Sequence, residues 1–374
     1  MILLPTRIKL WSKLTNCKRC FSTGMDDVLF EEKNNVGIIT LNRQKALNAL
    51  NESMVKKIIP KLKEYESKVR MVIVQGAGEK SFCAGGDVKF ITENGPTAVS
   101  LDRGSKFFKQ EYSMNSMIGN YKIPYISLID GITMGGGVGI SVHGKYRIAT
   151  EKTLFAMPET AIGLFCDVGA SHVLSRMEKH LGVMLGLTGY RLKGTDVVKS
   201  GIATHYVNSS KIESLKMKLI EDMRNPEIIL NENTEDLSDI KFSLDPYLEK
   251  IDFIFSIENV EKMFETLEKD NSDWAQKILQ ILKEVSPMSL KITRKEISNG
   301  KNFNLNECLI MEHRLAYRCM EAKYSTDFYE GVRALLIDKD KSPKWSPASL
   351  KEIKDEIVSK YFEPLPKDLD LKFV

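Results

Sequence analysis

The sequence is poor in the features that indicate a membrane-spanning, disulfide-bonded or zinc-binding protein. It has no run of about eighteen apolar residues, so it predicts no transmembrane helix. Its six cysteines are scattered, and the pair Cys17 and Cys20 has no second pair with which to bind zinc or build a disulfide framework. The histidines, among them His143, His172 and His313, show no metal-ligand spacing and are predicted to be ordinary core or surface residues.

Nucleotide-binding signatures and an overall basic surface are also missing. The chain contains neither a G-x-G-x-x-G fingerprint nor the lysine of a P-loop, so it gives no support to dinucleotide binding or nucleotide hydrolysis. The net charge of +4 arises from residues 1–21, which hold five basic residues and no acid. The remaining chain has 49 basic and 50 acidic residues, so no nucleic-acid partner is expected.

Residues 1–24 are predicted to be a mitochondrial transit peptide. They are basic, lack acids, and mix Leu, Ile and Trp with Ser and Thr. The segment Arg19-Cys20-Phe21-Ser22 resembles a mitochondrial processing site with cleavage after Phe21, which predicts a mature protein in the mitochondrial matrix. A disordered basic tail on a cytosolic protein is the alternative.

Residues 25–210 alternate strand and helix patterns and predict an α/β core. Asn51 can cap a helix that runs toward Tyr65, and Pro60 should kink or shorten that helix. Short runs rich in β-branched residues predict buried strands at Val36–Leu41, Met71–Val74, Tyr125–Ile129, Arg147–Thr150 and Thr153–Ala156.

Residues 211–374 are predicted to be a mostly helical region that completes the same catalytic unit. The acidic, polar stretch 231–245 is predicted to be a loop. Amphipathic or charged helical patterns cover residues 211–225, 257–267, 274–285 and 305–324.

Two glycine-rich turns and two acids carry the chemistry. The turns are FCAGGDV at 82–88 and TMGGGVG at 133–139, and each follows a predicted strand. Such turns can expose backbone N–H groups to a developing oxyanion. Glu159 and Asp167, eight residues apart, could move protons or attack a carbonyl. Each piece alone has an ordinary alternative, namely a plain turn for the glycines, a helix-start carboxylate for Glu159 and a helix cap for Asp167.

The strings FCAGGDV, ITMGGGVGISVHG and ATEKTLFAMPETAIGLF together resemble the crotonase (enoyl-CoA hydratase/isomerase) superfamily, whose members hold acyl-CoA thioesters between two backbone donors. The resemblance implies an α/β fold, a crotonase-type spiral of ββα turns with a mostly helical C-terminal region. It makes Gly86 and Gly136 the oxyanion donors and places the backbone from Gly86 through Asp87 and Val88 to Lys89 near the adenine end of CoA. It also implies an acyl-CoA substrate, no metal or other cofactor, no membrane association and a possible homo-oligomer.

The acids indicate a branch within the superfamily. Hydratases carry a glutamate three residues after the second oxyanion glycine, and here that position is Gly139. Glu159 matches the second hydratase glutamate, and Asp167 is an additional acid. The resemblance implies substrate contacts by Glu111, Gly136, Glu159 and Asp167, with Glu159 either activating water or attacking the thioester.

Two far segments resemble the hydrolase branch. FYEGVRALLIDKD at 328–340 and SPKWSPASLKE at 342–352 are similar to the group that cleaves 3-hydroxyisobutyryl-CoA in valine breakdown, for which 3-hydroxypropionyl-CoA is a second candidate substrate. The sequence departs from that group at Cys166, where relatives generally have proline, and at Ala170-Ser171-His172, where a glycine-rich or aromatic stretch is usual.

Three alternatives stay open. A dienoyl-CoA isomerase of the same superfamily would use a glutamate and an aspartate at similar spacing. A hydrolase-like structural component of the mitochondrial ribosome would need no catalysis. For Glu111, which lies in the charged, aromatic run Phe107–Tyr112, a solvated helix charge is the ordinary explanation.

Overall fold

A computed structural model describes residues 26–373 of the chain. The predicted transit peptide, its processing site, and Cys17 and Cys20 lie outside the described residues. Within residues 26–373, no helix combines the length and the hydropathy that crossing a bilayer requires. The four cysteines of this part are all buried free thiols.

Ten strands in the described part form two sheets. The larger sheet has the order β1-β2-β3-β5-β7-β10, and the smaller has β4-β6-β8-β9. Among the strand pairs of residues 26–373, only β1–β2 and β8–β9 are antiparallel. The strands are β1 Val28–Lys33, β2 Val36–Leu41, β3 Met71–Gly76, β4 Ser81–Cys83, β5 Tyr125–Ile129, β6 Ile132–Met134, β7 Tyr146–Ala149, β8 Leu154–Ala156, β9 Leu192–Lys193 and β10 His205–Tyr206.

Consecutive strands divide between the two sheets. The pairs β3–β4, β5–β6 and β7–β8 each give one strand to the larger sheet and one to the smaller, and successive pairs lie side by side in parallel. Helices follow these pairs along the chain, so each turn has the order ββα. The predicted spiral of ββα turns is therefore confirmed.

Sixteen α-helices occur in residues 26–373, most of them after the strands. They are α1 Glu52–Lys68, α2 Val88–Ile91, α3 Ala98–Gly119, α4 Gly136–Val142, α5 Ala170–Leu174, α6 Leu181–Thr188, α7 Thr195–Lys199, α8 Ile212–Glu221, α9 Pro226–Asn233, α10 Leu248–Phe255, α11 Val260–Lys269, α12 Asp273–Glu284, α13 Pro287–Gly300, α14 Leu305–Glu321, α15 Asp327–Val332 and α16 Asp355–Phe362. A π-helical turn, Arg333–Ile337, follows α15.

The helix after Asn51 differs from its prediction. The Asn51 side chain accepts a hydrogen bond from the Met54 amide and caps α1, as expected. The predicted shortening at Pro60 is wrong, because α1 continues to Lys68. Pro60 lies on the exposed face of the helix, where water can solvate the carbonyl that the missing N–H leaves free.

The larger sheet has two apolar faces, as expected from the alternation of side chains along a strand. On β2, Ile39 and Leu41 belong to the main core, whereas Val36 and Ile38 face a second cluster. Residues of α8 and α9 cover this second cluster. Both faces of the sheet are therefore buried, which explains why β2 consists entirely of buried residues.

The C-terminal helices also pack on the main core, where α14 lies against α3 and α13 against α5 and α6. The predicted helical character is confirmed, although α8 ends at Glu221 and a new helix, capped by Asn225, starts at Pro226. Of the predicted loop 231–245, the first three residues belong to α9.

Candidate active site

Parallel pairing brings the two glycine turns together. Strands β4 and β6 are parallel neighbours, so the turns that follow their last residues lie at the same edge of the smaller sheet. Gly85 and Gly135 have positive φ angles of 121° and 46°, which favour glycine. A methyl group placed on Gly136 would lie 3.2 Å from the amide nitrogen of Gly86. The predicted oxyanion donors are thus adjacent.

The backbone amides of Gly86 and Gly136 take no part in the regular hydrogen bonding of the strands and helices. A parallel bridge between Leu50 and Gly86 uses the Gly85 carbonyl and the Asp87 amide, so the Gly86 amide takes no part in it. Gly136 is the first residue of α4, and the first amides of a helix have no acceptor within the helix. The two N–H groups are available for one shared oxygen atom.

Three buried carboxylates surround these glycines. A methyl group on Gly136 would lie 2.6 Å from Glu111 Oε1, and one on Gly135 would lie 2.9 Å from Glu159 Oε1. Tyr112 is the residue after Glu111 on α3, and its hydroxyl donates a 2.8 Å hydrogen bond to Asp167 Oδ2. The structure therefore brings Glu111, Glu159 and Asp167 together beside Gly86 and Gly136.

Burial controls the protonation of the three acids. It raises the pKa values of Glu111 and Glu159 well above their usual range, and the charge of Asp167 raises both further. Burial also raises the pKa of Asp167 to about 7, against the opposing effect of its hydrogen bond from Tyr112. Within the described residues, Glu111 Oε1 and Glu159 Oε2 have no hydrogen-bond partner. Of the three acids, Asp167 is therefore the one whose protonation changes near neutral pH.

Two ordinary explanations for the acids are wrong. Glu111 is only 2% exposed, so it is not a solvated helix charge. Asp167 does not cap a helix, because α5 begins at Ala170 after a left-handed Gly169 and the Asp167 carboxylate bonds to Tyr112 instead. Glu159 does begin a short 3-10 turn, Glu159–Ile162, but its Oε2 is buried and has no hydrogen-bond partner in the described part of the chain.

The position of the hydratase glutamate is filled by other side chains. A Cβ atom on Gly139 would lie 2.6 Å from Val168 Cβ and 2.8 Å from Asn115 Nδ2. A glutamate side chain therefore does not fit at position 139 unless its neighbours move. Among residues 26–373, neither polar atom of the buried Asn115 amide has a partner.

Tyr112 and Asn115 are site residues that the sequence analysis missed. Asn115 lies one helical turn after Glu111, so the helical spacing i, i+4 was the available signal. Tyr112 carries no such signal, because its partner Asp167 is 55 residues away in the sequence.

Residues predicted for CoA binding lie at an opening that does not contain the three buried acids. Asp87 and Lys89 border a cavity of about 720 Å³ whose other wall includes Tyr329 and Arg333. Asp87 also forms a 2.8 Å ion pair with Arg43. Val88 begins α2 behind them. The role of Asp87, Val88 and Lys89 in CoA binding stays a prediction.

Another cavity, of about 1030 Å³, contains none of the predicted catalytic acids. Its lining includes His143, Arg147, His172 and Arg176. The geometry of the carboxylates and glycine amides is the better guide to the chemistry, because a large opening alone provides no reactive groups.

The sequence pattern of the enoyl-CoA hydratase/isomerase family matches residues 36–362 of the chain. The chain belongs to this family. Two solved structures share its fold closely and cover 93% of it. A carnitinyl-CoA dehydratase from Mycobacterium thermoresistibile has a TM-score of 0.86 at 33% identity, over 99% of its own length. An enoyl-CoA hydratase from Rhodobacter sphaeroides 2.4.1 has a TM-score of 0.85 at 33% identity, over its full length.

Curated relatives are more similar in sequence and carry a more specific name. Proteins named 3-hydroxyisobutyryl-CoA hydrolase, mitochondrial, are 45% identical in Gallus gallus, 49% in Danio rerio and 46% in Homo sapiens. The alignments cover 100%, 92% and 93% of this chain and 99%, 91% and 91% of those relatives. The resemblance to the hydrolase branch is confirmed.

Proposed function

We propose that the chain hydrolyses the thioester of 3-hydroxyisobutyryl-CoA to 3-hydroxyisobutyrate and CoA. The proposal rests on one combination of features. Glu159 and Asp167 lie beside two glycine amides, and the space at Gly139 is filled by other side chains. Hydration across a double bond needs the second glutamate that Gly139 replaces. The names of the curated relatives support the same reaction and a mitochondrial location.

The glycine amides stabilise the charge that develops during the reaction. The thioester carbonyl oxygen accepts hydrogen bonds from the N–H groups of Gly86 and Gly136, and these bonds strengthen as the oxygen becomes an oxyanion. The pantetheine arm and nucleotide of CoA extend toward Asp87 and Lys89. This arrangement needs no metal or redox cofactor, because the substrate carbonyl is activated by backbone donors alone.

Glu159 is the base or the nucleophile. In the first route it takes a proton from water, the new C–O bond forms, and the proton passes to the leaving CoA thiolate as the C–S bond breaks. In the second route its carboxylate displaces CoA to give an anhydride, which water then opens. Asp167, held by Tyr112, binds the substrate hydroxyl or shares the proton with Glu159.

Thiol release from a panel of acyl-CoAs tests the proposal. The full chain should release free CoA from 3-hydroxyisobutyryl-CoA, and more slowly from isobutyryl-CoA, while crotonyl-CoA shows little hydration. Rapid hydration of crotonyl-CoA without CoA release would contradict the proposal. Adding 3-hydroxypropionyl-CoA to the panel tests the second candidate substrate. Measuring the molecular mass in solution tests the possible homo-oligomer.

A further inference from the structure

Asp167 is carried by a strained segment, residues 166–171, which we call the Asp167 strap. Val168 and Gly169 have consecutive positive φ angles of 58° and 82°. The left-handed conformation is rare for a β-branched residue such as valine, so Val168 is held there by its surroundings. The angle at Val168 directs its side chain against Gly139. The strap therefore needs external partners to keep its shape.

The main partner of the strap is Glu312, which lies on α14 of the C-terminal region. Glu312 Oε2 accepts a 2.6 Å hydrogen bond from the Gly169 amide. Its Oε1 accepts bonds from the Ser171 amide at 3.1 Å and the Ser171 hydroxyl at 2.5 Å. Both carboxyl oxygens therefore accept hydrogen bonds from Gly169 and Ser171, which follow Val168 in the chain.

Two further contacts hold the strap on its other sides. Glu296 Oε1 on α13 accepts a 3.1 Å hydrogen bond from the Cys166 amide. His143 Nε2 lies 2.7 Å from the Val168 carbonyl oxygen. Because a carbonyl can only accept, Nε2 carries the proton in this contact. Burial lowers the His143 pKa to about 4, so the ring is neutral at physiological pH.

The burial of Glu312 needs an explanation. Its side chain is fully buried, and burial raises its pKa to about 8. A buried carboxyl group is unfavourable unless donors satisfy it, and an apolar side chain would pack α14 against the strap at lower cost. The three donors of Gly169 and Ser171 supply that compensation. Gly169 itself has a left-handed φ angle, and Ser171 lies two residues further along the chain.

We infer that Glu312 is a positioning residue that acts through Asp167. It fixes the left-handed strap by its bonds to Gly169 and Ser171, and thereby holds the Asp167 carboxylate against Tyr112. The inference rests on the proposed thioesterase function. It also gives Ser171 a role that the sequence analysis did not assign, since this residue supplies two of the three donors.

Substitutions at Glu312 test the inference on the full chain. Glu312→Leu accepts no hydrogen bond, and a displacement of about 1 Å at a catalytic group can reduce turnover about 10²-fold. We therefore expect kcat for 3-hydroxyisobutyryl-CoA to fall about 10²-fold while KM changes less than about 3-fold. Glu312→Gln keeps the shape and one acceptor oxygen, and should retain activity within about 10-fold. Glu307→Gln, on the first turn of the same helix, is the matched control and should leave kcat unchanged, because glutamine also serves in a capping box.

A double-mutant cycle with Asp167→Asn separates positioning from general stability. If Glu312 acts through Asp167, Glu312→Leu should reduce kcat less than about 3-fold further in the Asp167→Asn background. An equal loss in both backgrounds would overturn the inference. If Glu312→Leu does not fold, Ser171→Ala takes its place in the same cycle. Ser171→Ala alone should reduce kcat about 3-fold to 10-fold, a smaller loss in the Asp167→Asn background would support the inference, and an equal loss would overturn it. Absence of CoA release by the wild-type chain would instead refute the proposed function, so the two failures are distinguishable.

Discussion

Replacement of Gly136 by alanine would place a methyl group inside the proposed oxyanion hole. The added carbon would lie 2.6 Å from Glu111 Oε1 and 3.2 Å from the Gly86 nitrogen, well inside the roughly 3.5 Å at which such atoms normally touch. The φ angle of Gly136 is not positive, so alanine strains no backbone angle at this position. The effect on activity therefore comes from the methyl group itself.

Loss of one oxyanion donor reduces kcat about 10²–10³-fold, equivalent to about 2.7–4 kcal/mol of the barrier. Alanine at position 136 keeps its N–H group, but its methyl group would occupy the space where the oxygen must bind, so we expect a loss of comparable size for Gly136→Ala, measured as CoA release from 3-hydroxyisobutyryl-CoA. Gly86→Ala is the matched comparison, because its methyl group would lie 3.4 Å from the Phe107 ring and 4.0 Å from Glu111 Oε1. It should lose less than about 10-fold. Turnover of Gly136→Ala near the wild-type level, or a larger loss for Gly86→Ala, would refute this geometry of the hole.

Four further predictions concern the buried acids. Glu159→Gln should reduce kcat about 10²–10⁴-fold in the same assay, and wild-type turnover would show that Glu159 only begins a turn. Asp167→Asn should lose more activity on 3-hydroxyisobutyryl-CoA than on isobutyryl-CoA, and equal losses would exclude recognition of the hydroxyl. Because the Asp167 pKa is raised to about 7, kcat/KM should rise as the carboxylate forms through about pH 7, whereas a flat profile from about pH 5 to about 8 would contradict its involvement. Because the Glu312 pKa is raised in the folded protein, Glu312 contributes to the free energy of unfolding fully below its unfolded pKa of about 4, and this contribution is lost as pH rises through about 8. Glu312→Gln should therefore flatten the pH dependence of the free energy of urea unfolding between these two pH values.

The sequence predicted the parts of the site that lie in contiguous motifs. Gly86 and Gly136 follow β4 and β6, and parallel strands bring such turns to one edge of a sheet. The strings FCAGGDV, ITMGGGVGISVHG and ATEKTLFAMPETAIGLF identify the superfamily, and the segments at 328–340 and 342–352 indicate its hydrolase branch. For the fold, β2, β3 and β5 are short apolar runs that are buried on both faces, so their composition alone marks them as strands.

Parts that depend on distant pairing could not be predicted in this way. Glu312 meets Gly169 across 143 residues, and no local pattern marks a buried glutamate on a charged helix as a partner. Helix α13 was missed for a related reason. It buries Lys291, Arg294 and Glu296 together with its apolar residues, so it lacks the one-sided apolar stripe that indicates a surface helix. The burial of Glu111 likewise follows from the packing of α3 against the glycine turns, where its carboxylate lies beside Gly136, and not from its charged neighbours.

The gain of Asp167 and the loss of the hydratase glutamate are consequences of one structural element. The left-handed turn at Val168 presents Asp167 to Tyr112 and at the same time packs Val168 against Gly139. A longer side chain at position 139 would push against Val168, and the movement would displace the neighbouring aspartate. An additional hydratase glutamate and a correctly placed Asp167 are therefore mutually exclusive while the strap keeps this conformation. The proposed preference for thioester hydrolysis over hydration thus depends on the conformation of six residues, which Glu296 and Glu312 hold from the C-terminal helices.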